Sequence, residues 1–200
     1  INGESAGDRS GSCIAMSKTG TLVAIGSPNA SSNTGHVRVF ESSGGITDEW
    51  VQRGDTLDGS ATNYVFGTAL DLVGPGDLTK SGNVLAIGAP GNNNLTTGGY
   101  VNIYEWNTGT SNWVIRQQIA PSTVTGGKFG RALSLSQNGV FLAVGAFELD
   151  VYGLRATYNN AGQVRTYIYS ESSGNYIDFG KKDSSQSGYG IDGSGSTVYF

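Results

Sequence analysis

The 200 residues include 32 glycines and carry a formal net charge of −4, with only 14 % of side chains charged against an ordinary share of about 25 %. Without a concentrated basic stripe, nucleic acid is not expected as a partner, and the one adjacent basic pair, Lys181 and Lys182, reads as part of a solvated loop. A hydrophobic share of 37 % is enough to bury a core, which excludes general disorder, while no run approaches the roughly 18 apolar residues of a membrane span.

Taken in order, the chain opens on Ile1 with neither methionine nor a signal-like apolar stretch, which predicts a processed chain or part of a longer one. Ser12 to Gly20 (SCIAMSKTG) reads as a strand closed by a tight glycine turn, and Leu22 to Pro28 (LVAIGSP) as a buried strand leaving a sheet. A polar loop follows, then the alternating GHVRVF from Gly35 and the aromatic-led EWVQRG from Glu49. The same set then returns twice. TALDL (Thr68 to Leu72), a longer link GPGDLTKSG (Gly74 to Gly82), VLAIGAP from Val84, GYVNIY from Gly99 and NWVIRQ from Asn112 form the second copy. RALSLSQNG from Arg131, FLAVGAF from Phe141, GQVRTY from Gly162 and NYIDFG from Asn175 form the third. Trp50, Trp113 and Tyr176 therefore recur 63 residues apart. A period of this size signals a solenoid or propeller.

Nothing in the pattern predicts a helix, and glycine spread through turns favours many short strands. The expected fold is all-β: a β-propeller, or part of one, made of four-stranded antiparallel blades. Repeat one spans residues 1–59, repeat two 60–119 and repeat three 120–182. An incomplete fourth repeat occupies 183–200, where Tyr189 and Ile191 align with Leu133 and Leu135, and Val198 with Leu142. A single blade buries little, so stacking on the next must supply the core. Val37, Val39, Ile14 and Met16 are expected to face a neighbouring sheet.

Phe66-Gly67 and Phe129-Gly130 precede Gly88-Ala89-Pro90 and Gly145-Ala146-Phe147, an arrangement that resembles the FG-GAP repeat of integrin α-subunit propellers. The succession INGESAGDRSG, MSKTG, LVAIGSP, GHVRVF, EWVQRG is closer still to tandem repeats of secreted and cell-surface proteins in protists and bacteria. The resemblance covers nearly the whole chain. It implies a propeller serving adhesion, ligand binding or extracellular architecture, and it places calcium loops rich in alternating Asp or Asn between the FG and GAP strands. The turns here are SKTG, GPGDLTKSG, SQNG and DGSG, with Asp77 and Asp192 each alone. Too few oxygen ligands converge to expect calcium at these positions.

Several local patterns dissolve into the repeat. Gly188, Gly190 and Gly193 satisfy G-x-G-x-x-G, but a dinucleotide site needs a helix after that turn, and none is predicted. His36 is the only histidine, and its counterparts are Tyr100 and Gln163. Cys13, the only cysteine, aligns with Ala69 and Ala132 and is read as a small core residue. With Asp8, Asp48, Glu49, Asp55 and Asp58 dispersed, no catalytic set, metal cluster or cofactor is expected. Arg53-Gly54-Asp55 spells an integrin-binding tripeptide, yet it ends a strand and is read as a turn.

Two sequons, at Asn29 and Asn94, fall in the loop after the glycine phrase in repeats one and two, and are the candidate N-glycosylation sites. The equivalent loop of repeat three carries Glu148, Asp150, Tyr152, Arg155 and Tyr158, a composition suited to contacting a partner protein or glycan. Closed propellers usually need about four to eight blades. This chain is therefore expected to be a segment of a larger ring, or to have its open blade completed by another copy of itself. The functional expectation is a non-catalytic structural or adhesive protein, extracellular or at the cell surface, in a fibre or appendage. A carbohydrate-binding module and a fragment of a propeller hydrolase or lyase are the alternatives.

Overall fold

The computed structural model describes residues 1–45, 47–74, 83–92, 98–121, 127–148, 151–152, 157–158 and 162–179. Three antiparallel sheets follow one another along the chain, each built from consecutive strands. The first contains β1 (Cys13–Met16), β2 (Leu22–Ser27) and β3 (His36–Glu41), with β4 (Val51–Gln52) and β5 (Leu57–Asp58) both paired to β3. The second runs β6 (Ala69–Val73), β7 (Val84–Ala89), β8 (Tyr100–Asn107), β9 (Asn112–Ile119). The third comprises β10 (Phe129–Leu135) and β11 (Phe141–Ala146), then β14 (Gln163–Ser170) and β15 (Asn175–Phe179). A small ribbon of β12 (Val151–Tyr152) and β13 (Thr157–Tyr158) lies between β11 and β14 in sequence. The only helical segment among the described residues is the turn Ala30–Asn33, in which Ser31 and Ser32 are left-handed.

Register confirms the internal alignment. Cys13 pairs with Gly26, Ala69 with Gly88 and Ala132 with Gly145, so one strand-to-strand geometry is repeated three times. The turns joining first and second strands are closed alike. In one, the Leu22 N–H donates to Ser17 Oγ (3.0 Å); in another, the Phe141 N–H donates to Ser136 Oγ (2.8 Å). Serine there satisfies a backbone donor that the turn would otherwise strand.

Two cores lie between the sheets. Leu22, Ala24, Val37 and Val39 of the first sheet meet Leu85, Ile87, Ala89 and Tyr100 of the second, with Phe66 buried between them. Val84, Ala86, Val101 and Ile103 face the other way, onto Leu142, Val144, Ala146 and Tyr167 of the third sheet. The middle sheet is thus apolar on both faces, which is why β7 reads as a continuous apolar run rather than an alternation. Val37 and Val39 face the neighbouring sheet as expected, but Ile14 and Met16 do not. Ala15 shares its face with Ala24 and Val39, so Cys13 and Ala15 pack into the first core. Ile14 and Met16 point the opposite way and are 64 % and 56 % exposed. Alternation fixes which residues share a face, and here the small ones take the inner face because β1 lies close against β6.

The separation of neighbouring sheets changes from first strand to fourth. First strands adjoin directly, β1 beside β6 and β6 beside β10, with Cys13 and Ala15 packed beside Leu70 and Leu72 in the first core. At the fourth strands the gap is filled by Trp106, Trp113, Tyr169 and Tyr176. The sheets therefore converge along their first strands and splay toward their fourth.

Candidate functional site

The joint between sheets is the most developed arrangement in the molecule. It has two parts, each made twice. The first is backbone on backbone: a Cβ on Gly26 would land on the carbonyl oxygen of Gly67, and one on Gly35 on the carbonyl oxygen of Phe66. In the next joint, Gly88 meets Gly130 and Gly99 meets Phe129 in the same way. The Phe-Gly pairs of the second and third repeats are thus each seated on two glycines of the preceding repeat. Gly67 and Gly130 hold φ of +87° and +89°, and the residues two places before them, Val65 and Lys128, hold +49° and +52°. Only glycine takes the larger angle without strain. Val65 and Phe66 also donate their N–H groups to the carbonyls of Asn33 and Thr34 of the first repeat (2.9 and 3.0 Å).

The second part is a clamp near the fourth strands. The Arg53 guanidinium lies 4.2 Å from the Trp106 ring centroid and pairs with Glu41, while the Trp113 indole N–H donates to the Arg53 carbonyl (3.1 Å). Sixty-three residues on, Arg116 lies 4.5 Å from the Tyr169 ring centroid, pairs with Glu105 (2.9 Å) and donates to the Tyr169 hydroxyl (3.0 Å). Gln117 bonds the Tyr176 backbone on both sides, receiving its N–H (2.7 Å) and donating to its carbonyl (3.0 Å). Both arginines sit where the ladder is irregular: Arg53 follows β4 before the chain resumes as β5, and Arg116 is the extra residue where the β8–β9 register shifts. A bulge re-aims a side chain off its sheet; here it aims a cation at the next sheet's aromatic face.

Asp71 and Lys128 add ties that the repeat pattern did not reveal. Asp71 Oδ2 accepts the Leu135 N–H (2.6 Å) from β6 to β10, and Lys128 Nζ donates to the Asn92 carbonyl (2.7 Å). Their signal in the sequence is weak, since no acid recurs at the positions aligned with Asp71, and of those aligned with Lys128 only Arg9 is basic while Val65 is not.

The singled-out residues fall into two groups. Arg53-Gly54-Asp55 belongs to the clamp: Gly54, at φ +80°, is wedged against Asn112, Trp113 and Trp106, and Asp55 accepts from Asn112 Nδ2 (2.6 Å). Cys13 is half-buried in the first core, and burial pushes its thiol pKa up. His36 and Arg38 are buried under the chain's opening residues; Arg38 donates to the Asn2 carbonyl (2.7 Å), and Glu4 lies 3.6 Å from His36 and 3.4 Å from Arg38. Among the described residues, no three His, Cys, Asp or Glu side chains come together as metal ligands.

The loop candidates are not gathered into one site. Asn29 is half-buried before the turn Ala30–Asn33, while Asn94 lies outside the described residues. Glu148 is half-buried after β11; Asp150 and Arg155 lie outside the described residues. Tyr152 and Tyr158 are in the β12–β13 ribbon, where the register sets Tyr152 opposite Thr157 and Tyr158 opposite Val151. A shallow acidic concavity lies beside β4, bordered by Glu41, Asp48, Glu49 and Arg53. In it the Asp48 carboxyl is held below its usual pKa by the Ser43 hydroxyl and the Gly45 N–H. No family model matches the chain, and no curated protein matches its sequence.

Proposed function

We propose that this chain is a non-catalytic structural or adhesive repeat protein, extracellular or at the cell surface, whose sheets are blades arranged radially as in a β-propeller. The observation that carries the reading is the duplicated joint. The phrases that recur in the sequence are spent on seating one sheet against the next, and the Arg-aromatic clamp recurs with them. The close approach of β1, β6 and β10, with Trp113 and Tyr176 filling the joints at the fourth strands, supports the radial arrangement. Partners are other protein chains, including copies of this one, and glycans at Asn29 and Asn94 fit a secreted location.

The test is electron microscopy of the native material together with a hydrolase and lyase screen on the intact protein. Extended or surface-attached assemblies without turnover are the expected result. Saturable turnover of a glycoside or ester, lost with the folded state, would replace this reading with an enzymatic one.

A further inference from the structure

Resting on that structural reading, we infer that the outer faces of the first and third sheets are the two halves of a third joint, closed between successive copies of this chain. The joining half is preformed at the start of the chain. Arg9, Ser10 and Gly11 occupy the positions of Val65, Phe66 and Gly67, with Arg9 at φ +55° and Gly11 at +89°. The Gly11 N–H donates to the Gly26 carbonyl (3.0 Å) just as the Gly67 N–H donates to that of Gly88 (3.0 Å). Yet a Cβ on Gly11 would meet nothing within 4 Å, whereas one on Gly67 would strike the first sheet.

The receiving half is on the third sheet. Gly145 and Gly162 stand where Gly26 and Gly35, and Gly88 and Gly99, receive a Phe-Gly pair. Among the described residues a Cβ on either would meet only the third repeat's own atoms. Around them Phe141, Val164, Ile177 and Phe179 share the outer face, Val164 being 69 % exposed. On the first sheet, Ile14 and Met16 are the exposed residues of the facing side, along β1, while His36 and Arg38 on that side lie under Asn2 and Glu4, which the incoming copy displaces. The exposed face of the third sheet and the exposed β1 edge of the first are each the continuation of an interface the chain already makes twice.

The clamp positions have changed together. Phe179 stands 63 residues after Arg116, and Ser43 stands 63 before Trp106, while Trp50 remains in the place of Trp113. An arginine without its ring acceptor would be stranded; a phenylalanine against Ser43 and Trp50 leaves no charge unpaired. The occupant is a second copy rather than residues 183–200 of the same chain. Those residues place Gln186 in register with Gly130, and a glutamine resists the positive φ that Gly11 already holds. The contact is heterologous, so it propagates into a ring or a filament.

Ile14→Glu and Val164→Glu, each at an exposed position, disable one half apiece. Their folding is checked by thermal unfolding, and their masses by sedimentation and light scattering. The wild-type chain should gain mass with concentration, and each variant alone should stay monomeric. An equimolar mixture should form a capped dimer that grows no further, because each variant retains the half its partner lacks. A mixture that stays monomeric, a variant that assembles like the wild type, or a wild-type chain monomeric at its solubility limit would overturn the inference. So would a monomer whose Val164 face is protected by its own C-terminal residues. None of these outcomes touches the structural reading, which falls only to turnover in the enzyme screen.

Discussion

Tyr176 is buried in the second core, its hydroxyl donates to the Gly139 carbonyl, and burial pushes its pKa up to about 12. The folded state therefore holds this proton where the unfolded chain, titrating near 10, releases it. The associated stability is intact below pH 10 and is lost as pH rises toward 12, by about 2–3 kcal/mol. Urea unfolding across that range should show the decline, and Tyr176→Phe should flatten it while costing about 1–2 kcal/mol at neutral pH through the carbonyl left unpaired. Arg53 is a second test at this scale. Because its guanidinium stacks on Trp106 and pairs with Glu41, Arg53→Ala should lower stability by about 1–2 kcal/mol. Asp55→Ala, at an exposed hydrogen bond, should cost well under 1 kcal/mol. A urea midpoint shift at unchanged slope reads both. Equal effects would mean the tripeptide acts as a loop and not as part of the clamp.

Glycines of the second strands divide by what covers them. Gly88→Ala drives a Cβ into the Gly130 carbonyl, a backbone atom fixed by two sheets, and should cost about 3 kcal/mol or more. Gly145→Ala meets only the Ala132 Cβ at 3.3 Å and should leave the isolated chain's melting temperature nearly unchanged. Comparable losses at both positions would show that the glycines serve strand geometry rather than the joint. The strands, their order and the Cys13/Ala69/Ala132 register were legible in the sequence because each depends on residues close along the chain. The face of Ile14 and Met16 was not, since period two leaves the choice of side open until β1 meets β6. The spacing of 63 exposed Trp50, Trp113 and Tyr176. It did not expose Trp106 and Tyr169 as the ring acceptors of Arg53 and Arg116, because that pairing crosses from one sheet to the next. The break between β4 and β5 and the β12–β13 ribbon were likewise missed, each departing from its copies in the other repeats.

Across the whole molecule, stability should follow the stacking, since among the described residues the two cores each join one sheet to the next and the sheets contribute through those interfaces. The second sheet is covered on both sides by the two cores; the third has one covered side, and the first has its other side covered only in part, where the opening residues lie over His36 and Arg38. Local opening should therefore begin at the outer sheets. Native-state amide exchange should find the slowest protons in β7 and β8, where Leu85, Ile87, Val101 and Ile103 are fully buried, and faster ones in β4 and β15. Concentrating the chain adds a discriminating arm. If copies join through Gly11 and Gly145, protection should rise along β11, β14 and β15 and around residues 9–16, while β7 and β8 stay as they were, because their faces are already covered within one chain. Uniform exchange over all three sheets would mean that they open as a single unit, and that an exposed outer face weakens the stack no more than a covered one.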